Sequence, residues 1–460
     1  MHFFLFLLSL FMFSCDSSSS SLKEYVMRED SAYKWMIEET RETETYDYYL
    51  LCLNSQQWLS EKELTEPLWQ HSLQVIVPKS LKSDKAFMMI GGGSRHDKVV
   101  HDPESFLVQF ALSTGTVAAQ IQQVPNQPIH FKDEYLEKYE QSGRSEDALI
   151  AYTWYKHLHG EKNEYLARFP MTKAVVKGMD AVQELCEQES FHVPSQFFLS
   201  GFSKRAWTAW TTAGVDSRVF AFSPMVIDLL NIRQSFEHHF NAYGFWAPAV
   251  GNYVEMDIMR WRTSKEFERL ANLVEPYTFR EKFTMPKYIV NSAGDEFFLP
   301  DSWQFYLKDL PGDTYLRYIP NTDHTLRSSN ALSVIQSFYR SLVEKKPLPV
   351  FTWNRELNGD LWVKSETNPI EVNLWTAINE EARDFRMSAY GALWKKEPVE
   401  ISKINEYHFR AKKPSSGYTA FFIELVYDSG YETPLIFTTG VSVLPNLLPF
   451  NVDRVEQQDI

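Results

Sequence analysis

Residues 197–207, Phe197-Phe-Leu-Ser-Gly-Phe-Ser-Lys-Arg-Ala-Trp207, constrain the fold more than any others in this chain. An apolar run short enough to be a buried strand (Phe197, Phe198, Leu199) leads into Gly201-x-Ser203, and a helix-compatible stretch follows at once. So abrupt a strand-to-helix turn needs a residue without a bulky side chain just before the serine, and Gly201 supplies it. Ser203 would then project at a helix N-terminus, where free backbone N–H groups can receive an oxyanion. The peptide reads as a nucleophile elbow, although Arg205 stands where Gly-x-Ser-x-Gly has its last glycine. A helix N-cap is the competing use of Ser203.

Chain order favours the elbow. In folds built this way the acid and the histidine follow the serine, each in a loop after a later strand. Lys287–Asn291 reads as a strand that runs out in small residues at Gly294, and Asp295 comes next. Tyr315–Ile319 reads as another strand, followed by Asn321-Thr-Asp-His324. Residues 300–310 have the apolar spacing of one helix between them. Asp295 and His324 therefore close consecutive steps at the edge of the sheet that holds Ser203. Glu296 and Asp301 are nearby substitutes for the acid. Asp323 is a weaker one, because adjacent turn residues point apart. His408 lies in a strand-like run of a separate domain.

An oxyanion donor fits a third place. Ala86–Ile90 is an apolar strand ending in Gly91-Gly-Gly-Ser-Arg95, where glycines let backbone N–H groups approach a substrate. The expected donors are the N–H of Lys204 and one from Gly92, Gly93 or Ser94. A phosphate cradle is the other reading of such a loop, but the Lys-Ser/Thr ending of a Walker loop is missing.

With this order in hand, residues 40–445 resemble the PhoPQ-activated pathogenicity-related proteins, a family assigned to the α/β-hydrolase fold. The matching stretches are Leu53-Asn-Ser-Gln-Gln-Trp58, Phe169-Pro-Met-Thr-Lys-Ala174 with Met179-Asp180, Gly201-Phe-Ser-Lys-Arg205 with Trp207, and Gly294-Asp-Glu-Phe-Phe298. Leu374-Trp375, Ala382-Arg-Asp-Phe-Arg386 and Thr419-Ala-Phe-Phe422 match as well. One departure is Ala206, where the family usually has glycine. The resemblance implies the fold and the three positions Ser203, Asp295 and His324; it implies almost nothing about the substrate.

The chain of 460 residues can hold two or three domains. Its net charge of −14 argues against nucleic-acid binding, which needs basic patches. No cysteine or histidine spacing suits a metal, and no cofactor is expected. Residues 1–15 read as a signal segment: an apolar core at 3–14, too short to span a bilayer comfortably, then Cys15 as in a bacterial lipoprotein. Cys15 would carry the lipid and residues 16–29 would be a Ser-rich tether, so the protein is expected to be exported, either as a membrane-anchored periplasmic lipoprotein or in secreted form. Cys52 and Cys186 read as buried thiols rather than a bridge.

The catalytic domain is expected at 30–345, with near-continuous apolar strands alternating with helices, hence a mostly parallel sheet covered on both sides. A helical cap at about 228–285 is crowded with aromatics, most of them expected in the cap's own core. His238 and His239 read as polar cap residues rather than ligands, and Asp228 as a hinge or helix start. After a charged, proline-bearing linker at 344–349 the period changes to two, and about seven short strands at 350–445 suggest an Ig-like β-sandwich. Its default role is accessory or protein-binding, and 446–460 reads as a disordered tail. The function these features indicate is cleavage of an ester or peptide bond in a small-molecule or peptide substrate through an acyl-enzyme on Ser203. The alternative is a secreted binding or signalling protein that keeps the fold without turnover.

Overall fold

The computed structural model describes residues 17–453, apart from 411 and 413. Nine strands form one sheet: β1 Lys34–Glu42, β2 Tyr46–Gln57, β3 Leu68–Pro78, β4 Lys85–Ile90, β5 Val117–Ile121, β6 Gln196–Phe202, β7 Val219–Met225, β8 Lys287–Ser292 and β9 Thr314–Ile319. Their order is β1-β2-β3-β5-β4-β6-β7-β8-β9. The first three strands meet antiparallel and β3 joins β5 antiparallel, whereas every pair from β5 to β9 is parallel. The strand order reverses at β4, and a ligand cleft belongs outside the carboxyl ends of strands at such a point.

The strands look uniformly apolar because both faces are buried. Ala86, Met88 and Ile90 of β4 enter one core, and Phe87 and Met89 enter the other. Helices at Glu146–Leu158, Arg168–Gln188 and Lys204–Val215 add to the first core. Helices at Ser105–Thr114 and Ala331–Val343 add to the second. This is an α/β-hydrolase fold. Between β7 and β8 the chain makes a cap of helices at Ile232–Tyr243, Gly251–Glu255 and Lys265–Val274, joined by 3₁₀ turns.

Eight further strands follow: β10 Phe351–Arg355, β11 Leu361–Ser365, β12 Glu371–Asn379, β13 Lys395–Val399, β14 Glu406–Phe409, β15 Tyr418–Tyr427, β16 Leu435–Thr438 and β17 Ser442–Leu444. They form an antiparallel sheet β10-β11-β14 and a second in which β12, β13, β15, β16 and β17 pair antiparallel. Leu361 and Val363 of one share a core with Ile423 and Leu425 of the other, and that core continues into the second face of the large sheet. Tyr288 of β8 donates its hydroxyl to Ile436 O at 2.6 Å, and its ring lies 5.4 Å from that of Phe437.

Several expectations are corrected. Residues 300–310 do not form a helix; they make two 3₁₀ turns, Ser302–Phe305 and Leu307–Asp309, tied down by Trp303 Nε1–H donating to Val441 O at 2.9 Å. Within 350–445, where only strands are expected, Met387–Tyr390 makes a short helical turn. The run 435–444 is interrupted at Gly440, whose backbone lies against the Trp303 ring so closely that a Cβ would fall 2.1 Å from it. The expected tether is partly a helix, Ser17–Met27, because Leu22, Tyr25 and Val26 bury on one side of it. Cys15 and the rest of the expected signal segment lie outside the described residues. The tail is ordered as far as 453. Phe450 and Val452 donate their N–H groups to Asn241 of the cap, and Val452 is buried.

Candidate active site

Ser203 sits between the end of β6 and the helix Lys204–Val215 with φ 54° and ψ −120°, a conformation non-glycine residues rarely hold. Two contacts impose it. Ser203 N–H donates to Met225 O at the end of β7 (2.8 Å), and Ser203 O accepts the Trp207 N–H (3.0 Å). A Cβ on Gly201 would stand 2.9 Å from the Arg205 carbonyl carbon, so the elbow cannot close with any larger residue there. Ala206 is fully buried and the helix continues through it. The Lys204 N–H belongs to the first turn, where no preceding carbonyl is available to it.

Asp295 follows β8 and His324 follows β9, and the two meet. His324 Nδ1 lies 2.8 Å from Asp295 Oδ2, and a carboxylate that only accepts makes Nδ1 the protonated nitrogen. Asp295 Oδ1 accepts the N–H groups of Phe297 (2.8 Å) and Phe298 (3.3 Å), which fixes the carboxylate. Burial disfavours the imidazolium, but the charge of Asp295 and its hydrogen bond together outweigh burial, and the His324 pKa is raised. His324 Nε2 is buried without a hydrogen-bond partner, so its bond to Ser203 is not made in this structure. Catalytic hydrogen bonds often tighten only with substrate bound.

The alternative residues are engaged elsewhere. Glu296 accepts the His324 backbone N–H at 3.0 Å. Asp301 pairs with His238 (2.9 Å) and with Arg383. Asp323 accepts from Thr325, and His408 stacks on Trp362 with ring centroids 3.7 Å apart. His239 accepts the Ala247 N–H at 3.0 Å, and burial holds its pKa at about 3. Asp228 does not start a helix; it lies in the connection between β7 and the first cap helix. It is buried and receives the hydroxyls of Tyr306 (2.7 Å) and Tyr318; burial pushes its pKa up to about 8.

The C-terminal chain holds both loops. Met387 N–H donates to Gly294 O (2.8 Å) and Trp394 Nε1–H to Ala293 O (3.2 Å). Trp394 and Asn321 exchange two hydrogen bonds of 2.9 Å.

Ser203 opens on two spaces. One, about 390 Å³, is lined by Gly91, Gly92, Gly93, Gln122 and Arg205. Gly92 has no room for a side chain, since a Cβ would fall 2.5 Å from the Arg205 guanidinium. The Ser94 N–H is already committed to Asp97 Oδ2 at 2.6 Å, which leaves Gly92 and Gly93 as loop donors. The other space is narrow, about 30 Å³, and runs under the cap between Ser203, Trp154, Phe236, Trp246, Tyr253 and Phe297. Of the cap aromatics, Phe236, Trp246 and Tyr253 line it.

A charged cluster that the sequence did not announce borders both spaces. Arg205 binds Glu146 through two hydrogen bonds of 2.7 and 2.6 Å, and Lys204 Nζ binds Asp147 at 2.8 Å. Burial alone would raise the Glu146 carboxyl, but Arg205 and Lys204 hold it at about 2. Arg168 donates from NH1 to Lys204 O at 3.0 Å. Ser145-Glu-Asp ahead of an apolar run does mark a helix start in the sequence, but nothing local shows that Lys204 and Arg205 dock on it.

The chain is similar to several known proteins. A curated relative, the autocrine proliferation repressor protein A of Dictyostelium discoideum, is 36% identical over 463 residues, covering 94% of this chain and 92% of its own. Among solved structures, an acetyl xylan esterase of a Paenibacillus species has a TM-score of 0.48 at 14% identity, covering 71% of this chain and 93% of that one. Acetyl xylan esterase 1 of a Thermoanaerobacterium species has 0.49 at 10%, with the same shares. Residues 22–386 match the PhoPQ-activated pathogenicity-related protein family, and the chain belongs to that family.

Proposed function

We propose that this protein is a serine hydrolase that cleaves ester or amide bonds by acyl transfer. In this reading His324 Nε2 takes the Ser203 proton, and the serine oxygen attacks the carbonyl carbon. Asp295 stabilises the imidazolium that results, and the N–H groups of Lys204 and of Gly92 or Gly93 receive the oxyanion. His324 then returns the proton to the leaving group, and water releases the acyl group by the same steps in reverse order. The observation that supports the reading best is the Asp295–His324 hydrogen bond of 2.8 Å, with the other ring nitrogen buried and unpartnered. A fluorophosphonate probe should label the wild type and leave Ser203→Ala unlabelled. A folded wild type that resists the probe would remove the reading.

The relative's name, a repressor of proliferation, favours a second reading: an exported signalling protein that keeps the fold without turnover. In either case the first fifteen residues act as an export segment, with Cys15 as the lipid attachment point. The intact mass of the mature chain separates a lipidated Cys15 from plain cleavage. The C-terminal sheets would offer a protein-binding surface, which a pull-down with residues 350–445 altered at exposed positions tests.

A further inference from the structure

The narrow space under the cap is lined by a buried cation that no carboxylate pairs with among the described residues. Three cations surround Ser203: Arg205 is taken by Glu146, Lys204 by Asp147, and Arg168 by no carboxylate among the described residues. Arg168 is 3% exposed and lines the cavity. Its guanidinium donates to the Lys204 carbonyl and lies 4.4 Å from the centre of the Trp207 ring, and its Nε is buried without a partner. A guanidinium does not escape such a position by losing its proton, so its charge stays and costs stability while unmatched. Asp228, another carboxyl on the cavity wall, is turned to the hydroxyls of Tyr306 and Tyr318 and makes no ion pair with Arg168.

We propose that Arg168 anchors a carboxylate carried by the acyl side of the substrate, which narrows the hydrolase reading above to short acyl groups ending in a free acid. The proposal rests on that reading for its chemistry, but the binding site stands on its own geometry. A carboxylate would pair the lone guanidinium, and the planar fork of arginine matches its two oxygens. The walls at Trp154, Phe236, Trp246 and Tyr253 leave a space too narrow for a lipid tail.

The test compares the phenyl hemiester of glutarate with the phenyl ester of glutaramate, which replaces the carboxylate by an amide of the same shape. With the Ser203→Ala background subtracted, the wild type should favour the hemiester by at least about tenfold in kcat/KM, the range of one charged hydrogen bond. Arg168→Gln should abolish that preference, lowering kcat/KM on the hemiester by at least about tenfold more than on the glutaramate ester, in a protein whose fold is checked by circular dichroism. Equal rates for the two esters in the wild type would overturn the proposal, as would an equal loss on both in Arg168→Gln, which would mark a structural arginine. If Arg168→Gln does not fold, Arg168→Lys should keep a reduced preference, and an unchanged one counts against the fork. If the fluorophosphonate fails to label Ser203, the hydrolase reading falls while the site remains testable by calorimetry. Glutaramate should then bind the wild type and glutaramide should not; no glutaramate binding ends the proposal.

Discussion

In the large sheet, β4, β6, β8 and β9 run parallel and end together; in the two C-terminal sheets every neighbouring pair runs antiparallel. The first arrangement collects loop after loop at one rim, and Gly92, Ser203 and Asp295 with His324 lie there. The second sends alternate loops to opposite ends, and no comparable set gathers among the described residues. Yet the C-terminal chain is not a bystander: Met387 and Trp394 reach the backbone at Gly294, Ala293 and Asn321, beside the acid and the histidine. One region carries the candidate reacting groups and the other fixes the loops they stand on.

The sharpest way to break this division is Ser203→Ala, expected to lower kcat by about 10⁴- to 10⁶-fold with the fold intact. Turnover on a carboxyl ester, read beside circular dichroism, checks it. Trp394→Ala comes next. Losing a buried indole that also bonds Ala293 should cost about 3–5 kcal/mol in urea unfolding, with kcat falling in the protein that remains folded. A full-rate Trp394→Ala enzyme would show that the C-terminal chain does not hold the loops.

A third experiment uses pH. Burial raises Asp228 and Glu275 to about 8, so each binds its proton more tightly folded than unfolded. Their contribution is complete below their unfolded pKa values and is lost as the pH rises through about 8. His71 and His239, lowered to about 4 and 3 by burial, act in the opposite sense, but only below about 6.5. Between about pH 6.5 and 8 stability should therefore fall, and Asp228→Asn should shrink that fall by roughly half in a Tm series. The same slope in both proteins would place the sensitivity elsewhere. The smallest effect belongs to Trp362→Ala, half exposed and stacked on His408, expected to cost under about 1 kcal/mol. Set against Trp394→Ala, it separates the C-terminal residues that touch the loops from those that do not.

The legible parts of the sequence were those with local causes. β4, β6, β8 and β9 are short apolar runs bounded by Gly, Ser and Pro, and the loops after them show the elbow, the acid and the histidine. β1 escaped notice because its nine residues are mostly charged and never fully buried. β13 did too, with two lysines, a glutamate and a proline on an exposed edge. The helix expected at 300–310 failed because Asp301 and Trp303 are claimed by Arg383 and Val441, far along the chain. Arg168, Asp147 and Asp228 were hidden for the same reason: each takes its meaning from Lys204, Tyr306 or Tyr318, and no spacing rule links them.

The return of the last described residues to the cap has a practical consequence. Phe450 packs where Gly244 lacks a side chain, and Asn241 receives two backbone N–H groups from the segment passing over it. A protease nick or an affinity tag near position 450 would thus tamper with the roof over Ser203. Handles for purification belong on the amino-terminal side, after any leader has been removed.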